Sequence, residues 1–488
     1  MSEHTLRPAA DRIVISEAVI PWLVAAGIYV LLITLGGRLL ADPDSYSHIA
    51  LGRWILEHHA VPTGDPFSQT MQGAHWIAFE WLSQVAYAMA FKLGGWIAVV
   101  ALAAAAAAAA FAQLARLLLR EWQPVPTIIA LLAALVLLSP HILARPHLLA
   151  LPLMVTWVGS LISADDESRA PSWWLLPLMT LWANLHGSFT FGLAITAPIA
   201  CEAIWKAQKP DRWQVAKRWA SFAVLAVAAA CLNPYGPEMI LVTGRAAALG
   251  ESLSAIIEWQ PQDFSRFGAF ELILLGGLGF ALYRGVRLPP VRIVMLLGIL
   301  HLGLAQSRHA DLVGLLVPLF LARPLATQFG ALAAVRGGAQ ARAQFVPAAA
   351  IGLLLPLIAF TGLIARNGVM PAANITPASA LRSIDVDAGP IFNDYNFGGY
   401  FDFMGLRPFI DGRTELYGAA FTLRYERALS LVDLPDFLRM LDEYHFQTTL
   451  LVPNRPAAAL MDRLPDWQRV YADNVAVVHV RRAERRAQ

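Results

Sequence analysis

Cysteine is nearly absent. Cys201 and Cys231 are the only two, both inside apolar segments, and they read as small core residues rather than as a disulfide or metal framework. Charge is scarce as well: 15% of the 488 residues are Asp, Glu, Lys or Arg and 57% are hydrophobic, whereas soluble domains carry roughly a quarter charged residues. The formal net charge of +2 argues neither for nucleic acid nor for an acidic partner. No P-loop, dinucleotide glycine fingerprint, HExxH, Cys-His zinc spacing or GxSxG elbow occurs, which removes the commonest nucleotide, zinc and serine-nucleophile chemistries. Long apolar runs are what the chain has instead. They make it an integral membrane protein, since about 20 mostly apolar residues cross a bilayer.

Apolar windows predict spans at 17–40, 76–92, 95–118, 124–140, 146–163, 172–185, 188–206, 217–233, 268–283, 290–306, 308–325 and 345–365. The N-terminus has mixed charge and no A-x-A-like cleavage site, so 17–40 is expected to be a retained first helix. Lys and Arg cluster in "WKAQKPDRWQVAKRW", "YRGVRLPPVR" and "AVRGGAQAR", which places those loops in the cytoplasm and the residues after 366 outside. Twelve spans would then put 41–75 in the cytoplasm. A thirteenth, hidden in the proline-broken stretch 124–163, brings 41–75 and the tail to one face, and that is the preferred reading. Domain boundaries follow: a membrane domain at 1–366 with external loop 41–75, and an α/β domain at 367–488. In the latter, strands are expected at Gly389–Phe392, Pro408–Ile410 and Thr448–Val452, helices at Ala419–Leu431 and Leu434–Tyr444, and a hairpin turning at Asp473-Asn474. "RRAERRAQ" at the end reads as a solvated tail.

Candidate chemistry concentrates in a few stretches. In "ADPDSYSHIALGRWILEHH", Asp42 and Asp44 precede an amphipathic helix suited to the membrane interface. Either Asp44 is a simple helix N-cap with Asp42 solvated, or a carboxylate there takes a proton from an acceptor or binds a metal near a phosphate. Asp65 is expected to start a turn before Pro66. Glu80, at the end of the 76–92 window, and His186, with Asn184 and Ser188 in "WANLHGSFTFG", are polar groups at membrane depth, where such groups mark a cavity or an interhelical bond. His75 and Trp76 would anchor the interface. Arg308 and His309 suit a phosphate or pyrophosphate head group, and Glu258 could reach a cleft from its loop. In "IFNDYNFGGYFDFMGLRPFIDGRTELYG", Tyr395, Asp411 and Arg413 either line a pocket or form an internal Asp–Arg pair.

The motif Asp44-Ser45-Tyr46 after a first span, followed by "HWIAFEWLSQ", many spans and an outer C-terminal domain, resembles the GT-C membrane glycosyltransferases, a group that includes oligosaccharyltransferases and protein O-mannosyltransferases. The tail stretch "NDYNFGGYFDF…FIDGRTELYG" resembles that of uncharacterised bacterial membrane proteins grouped with them. The resemblance implies a multi-spanning helical fold, a polyprenyl-phosphate or -pyrophosphate sugar donor, and a lipid, glycan or protein acceptor. It implies an inverting transfer with Asp44, helped by Asp42, as base, and a bacterial inner membrane with the tail domain in the periplasm. Arg308 and His309 would then stabilise the leaving phosphate, while Glu80 and His186 shape the sugar pocket. The chain departs from the oligosaccharyltransferases in two respects. It lacks a second external acidic motif, Asp165-Asp166 falling in a loop assigned to the cytoplasm, and it lacks their tryptophan-rich acceptor motif. A divalent metal is left open. The reading outside catalysis is a lipid-linked-glycan transporter or a membrane assembly scaffold.

Overall fold

The computed structural model describes residues 18–247, 259–333 and 339–482. The expectations for the N-terminal segment ahead of residue 18, for Glu258 and for 483–488 lie outside them. Helices follow in the order α1 (Ile20–Thr34), α2 (Gly36–Leu39), α3 (Asp44–His58), α4 (Trp81–Leu118), α5 (Pro124–Leu138), α6 (Pro146–Asp166), α7 (Leu175–Leu185), α8 (Phe189–Lys206), α9 (Arg212–Ala230), α10 (Glu238–Ala247), α11 (Ala269–Arg284), α12 (Pro290–Ala305), α13 (Ala310–Gln328) and α14 (Ala339–Ala365). Proline at the first turn starts α1, α5, α6 and α12, where its missing N–H costs nothing. Among the described residues, four stretches are long and apolar enough to cross a membrane: Trp81–Leu118, Pro124–His141, Pro146–Asp166 and Ser307–Gln328. Ile20–Thr34, Leu175–Leu185, Pro290–Ala305 and Gly352–Ala365 are apolar but shorter. The alanine run 103–110 lets α4 sit tightly among its neighbours, with Ala103, Ala104, Ala107 and Ala110 fully buried.

Two span expectations need correction. Residues 76–80 are not helical, and α4 breaks at Gly94-Gly95, the latter at φ 66°. At the start of the segment before the break Glu80 meets His186 at 3.3 Å, while Phe91 near its end meets Phe403 of the tail edge-on and Trp96, just past the break, meets the same ring tilted, with centroids 5.6 and 5.8 Å apart. Both ends therefore lie at the face where loop and tail meet, and the segment runs along α3, with Gly52 packed against Gln84 and Ala88. The 124–163 interval holds only α5 and α6, joined through a short 3-10 turn (Ser139–His141). The interval 124–163 therefore holds no third helix, and the helix expected from residue 76 begins only at Trp81.

At the opposite end of the bundle, buried Arg292 donates to Glu202 at 2.9 Å, to Asp165 at 3.2 Å, to the Phe320 carbonyl at 3.1 Å and to Asp166. Lys206 and Arg323 join from α8 and α13. This network ties four helices together at the far end of α6. The 21 residues of α6 put it roughly 30 Å from Arg145 at the near end.

The tail adds α15 (Ala378–Leu381), β1 (Ile391–Asn393), α16 (Tyr395–Met404), α17 (Thr414–Leu429), α18 (Leu434–Glu443), β2 (Thr448–Leu451), α19 (Pro456–Met461), β3 (Trp467–Ala472) and β4 (Val477–Arg481). The sheet order is β1-β2-β4-β3, with β1 and β2 parallel and the other pairs antiparallel. The expected hairpin and the helices at 419–431 and 434–444 are present. Pro408–Ile410 is not a strand: its carbonyls instead accept from Gln69 N–H (3.0 Å, at Pro408) and the Thr70 hydroxyl (2.8 Å, at Phe409) in the loop, and from Asn393 (2.8 Å, at Ile410). Phe392, Phe409, Tyr425, Phe437 and Phe446 form the domain's core.

Candidate active site

The site begins at the start of α3. The Asp42 carboxylate accepts from the Asp44 amide at 2.8 Å, so buried Asp42 holds the turn that leads through Pro43 into the helix, and Asp44 is its first helical residue. Asp44 is thus not the N-cap: Pro43 holds that position, and Asp44 lies in the first turn with its side chain lining both cavities. Both carboxylates pair with the same guanidinium nitrogen of Arg145, Asp44 at 3.2 Å. Arg145 stands in extended conformation just before Pro146 opens α6. Its carbonyl accepts from the Tyr87 hydroxyl at 2.9 Å, and the neighbouring Ala144 amide donates to Leu39 at 2.7 Å, which fixes this turn against the end of α2.

The tail closes on the acid pair from the other side. Asp402 of α16 accepts from the Ser47 hydroxyl at 2.8 Å; burial, and then the charge of Asp411, push its carboxyl well above the ordinary range. A Cβ on Gly399 would lie 2.3 Å from the Pro43 carbonyl, and one on Gly412 would lie 1.9 Å from Asp44 Oδ1, so only glycine lets the tail backbone lie this close. Tyr395 lies beside Asp44, its hydroxyl 3.4 Å from Thr414, and burial, with Asp44's charge second, keeps that hydroxyl protonated.

Asp411 and Arg413 form the internal pair, doubled at 2.9 and 2.6 Å, with Tyr417 donating to Asp411 at 2.8 Å. Burial alone would raise the Asp411 carboxyl, but Arg413's charge and hydrogen bonds hold it below its usual value. Arg413 also reaches Asp65 at 2.6 Å and lies over Trp76, 4.9 Å from its centroid. Asp65 does start its turn, accepting from Phe67 and Ser68, but is also this ion-pair partner. Trp76 is not an interface anchor: it is buried and donates to Glu415 at 3.0 Å.

Glu80 meets His186 Nε2 at 3.3 Å. Burial first, and Glu415 second, raise Glu80 to about 8, while burial and His147 lower His186 well below its usual value. The contact is therefore between neutral groups at neutral pH. The Ser188 amide donates to His186 Nδ1 at 3.1 Å, which leaves Nε2 to carry the hydrogen and donate to Glu80. His48 lies close by, held neutral by burial, which lowers it to about 3. Arg308 and His309 occupy the turn (Ser307–His309) between α12 and α13, with Arg308 over Trp259, 4.4 Å from its centroid.

These groups surround two cavities. One, of about 810 Å³, is lined by His48, Glu80, His147, His186, Arg308 and His309, and continues between apolar side chains of α6, α8, α12 and α13 such as Met154, Phe191, Leu302 and Leu312. The other, of about 800 Å³, lies between Val136, Leu137, Phe264 and Phe270 on the membrane side and Asn396, Thr422, Glu426 and Arg455 on the tail. Asp44, His141, Arg145, Tyr395 and Thr414 line both. The structure thus unites Asp42, Asp44, Glu80, His186, Arg308, His309 and Tyr395, puts Arg413 at the margin of the larger cavity, and buries Asp411 behind it. Arg145, His48 and His147 are additions that the sequence reading passed over. Its signal was present: an arginine with histidines at 141 and 147 in the proline-rich turn "SPHILARPHLLALP".

The donor set does not fit a divalent metal. Asp42 and Asp44 both face a guanidinium, and among the described residues no three His, Cys, Asp or Glu side chains are grouped to hold an ion.

No protein-family model and no curated protein sequence matches the chain. Solved structures do. The oligosaccharyltransferase of Archaeoglobus fulgidus in its apo form is 12% identical, with 89% of this chain and 69% of that one aligned at a TM-score of 0.51. The same organism's oligosaccharyltransferase AglB, in complex with an inhibitory peptide and a dolichol-phosphate, is 13% identical, with 89% and 69% covered and a TM-score of 0.52. The form tethered to an acceptor peptide containing the NVT sequon is 12% identical, with 89% and 68% covered and a TM-score of 0.54. At this identity the similarity establishes the fold alone, the one these structures share.

Proposed function

We propose that this chain is a glycosyltransferase that moves a sugar from a polyprenyl-phosphate or -pyrophosphate carrier to an acceptor hydroxyl or amide, with inversion. The observation that carries the proposal is the position of Asp44 and Arg145 on the wall shared by two cavities. Inverting displacement needs nucleophile and leaving group on opposite sides of the anomeric carbon, and two chambers meeting at one carboxylate supply that geometry.

The larger cavity takes the donor. Its apolar extension between helices suits a prenyl chain, Arg308 and His309 meet the phosphate, and neutral Glu80, His186 and His48 hydrogen-bond the sugar. The second cavity takes the acceptor, with the tail forming its roof. Asp44 accepts the acceptor's proton as the new bond to the anomeric carbon forms. The carbon–oxygen bond to phosphate breaks, its electron pair leaving with the phosphate, whose growing charge faces Arg308. A lipid-linked donor also fits the known content of one structural neighbour, which was solved with a dolichol-phosphate. The same reading places the site on the periplasmic face of a bacterial inner membrane, with residues 367–488 outside.

The test is transfer in vitro from a panel of polyprenyl-phosphate sugars by purified protein. Asp44→Asn should fold normally and lose transfer by about 100-fold or more, the range of a lost general base. A fully active Asp44→Asn protein, or no transfer from any lipid-linked sugar, overturns the proposal and leaves the transporter or scaffold reading.

A further inference from the structure

We infer that Arg145 is the resident cation of the acid pair, a positioning residue occupying the place a divalent metal would otherwise take, so that the site works without one. The inference builds on the glycosyltransferase reading for its activity arm only.

Three observations carry it. First, one guanidinium nitrogen contacts both carboxylates: Asp42, whose other oxygen holds the Asp44 amide, and Asp44, which faces the cavities. Second, the arginine is fixed from its backbone outward by Pro146, by the Tyr87 hydroxyl on its carbonyl and by the Ala144–Leu39 bond, so the cation is built into the α5–α6 turn. Third, the arrangement is hostile to a second cation. Hard divalent ions demand several oxygen ligands around them. Here Asp42 spends one oxygen on a backbone amide and the other on Arg145, and a permanently charged guanidinium repels a divalent ion at contact range. The charge that two adjacent carboxylates require is therefore already present, and it cannot be removed by pH or by chelation.

The chemical consequence is twofold. Arg145 holds Asp44 aimed along the shared wall, and it presents positive charge to both cavities, so an anionic donor entering beside it meets protein rather than a metal bridge. Arg145 acts through Asp44 and is not itself the base.

The test titrates Mn²⁺ into the full-length purified protein, read by electron paramagnetic resonance of the free ion, and runs transfer assays with and without chelator. Wild type and Asp44→Asn should bind Mn²⁺ alike, because the acid pair holds none. Arg145→Ala should acquire Mn²⁺ binding that the double change Arg145→Ala/Asp44→Asn removes, and Arg145→Lys should stay like wild type. In the activity arm, chelator leaves the wild-type rate unchanged. Arg145→Ala loses roughly 10- to 100-fold, as lost orientation of a site carboxylate does; Mn²⁺ restores part of that loss, and Arg145→Lys retains more activity than Arg145→Ala. A wild-type Mn²⁺ site that Asp44→Asn abolishes, or transfer stopped by chelator and restored by Mn²⁺, overturns the inference. If Arg145→Ala does not fold, the wild-type and Asp44→Asn titrations still decide it. If no donor is used at all, the proposed activity fails while the Mn²⁺ comparison still stands.

Discussion

Gly412→Ala offers a test of the catalytic assignment in which no ionisable group is touched. A methyl group at Gly412 would sit 1.9 Å from Asp44 Oδ1 and 2.8 Å from its Cγ, where ordinary contact begins at 3.4 Å. The carboxylate or the Gly412 backbone must therefore move by roughly 1.5 Å, and displacements near 1 Å cost about 100-fold in a rate that depends on near-attack geometry. Gly412 is not among the glycines with positive φ, so alanine meets no backbone penalty there, and the clash falls on the far end of one side chain. The expected result is a fall in kcat of about 100-fold, with KM read separately because Gly412 and Asp44 also line the cavity assigned to the donor. The assay pairs initial rates with thermal melting in the same detergent. A Gly412→Ala protein that melts like wild type and transfers sugar at the wild-type rate would refute Asp44 as the reacting carboxylate.

Two further outcomes follow from the buried groups. Burial and Glu415 raise Glu80 from 4.5 to about 8, so the folded chain keeps a proton that the unfolded chain releases; stability should fall as pH rises from about 4.5 to about 8, and Glu80→Gln should flatten that slope in melting curves collected across the range, an identical slope counting against it. Arg413→Met strands Asp411 and Asp65, both buried, and removing one partner of a buried ion pair costs about 3–5 kcal/mol; the expected sign is early release of the loop from the tail in limited proteolysis, and unchanged protection would show that this triad does not fasten them.

The helices were legible wherever lipid or protein burial demanded long apolar runs, because both demand the same side chains. That shared demand is also where sequence fails. Residues 76–80 are as apolar as a helix start, yet Trp76 and Ala78 are buried against α3, loop and tail and Ile77 against the bundle, and composition does not tell a protein neighbour from a lipid one. The same ambiguity turned Pro408–Ile410 into an expected strand when its carbonyls serve the loop and Asn393. Within the site, Asp44, Glu80, His186 and Arg308 stood out as polar groups among apolar ones. Arg145 did not, because its meaning depends on a partner 101 positions away and on a turn that periodicity registers only as a break.

The close approach of Gly399 to Pro43 and Gly412 to Asp44, with Ser47 bonded to Asp402, means that the tail backbone forms part of the mould around the start of α3. A domain whose task was only to present an acceptor would need contact with the second cavity alone, through residues such as Asn396 and Arg455. Here its glycines press on the very residues that carry and orient the carboxylate, while Arg413 grips Asp65 further along the same loop. On the function proposed above, base geometry and acceptor entry would be coupled through this contact, since moving the tail to admit an acceptor would also move Asp44 relative to Arg145.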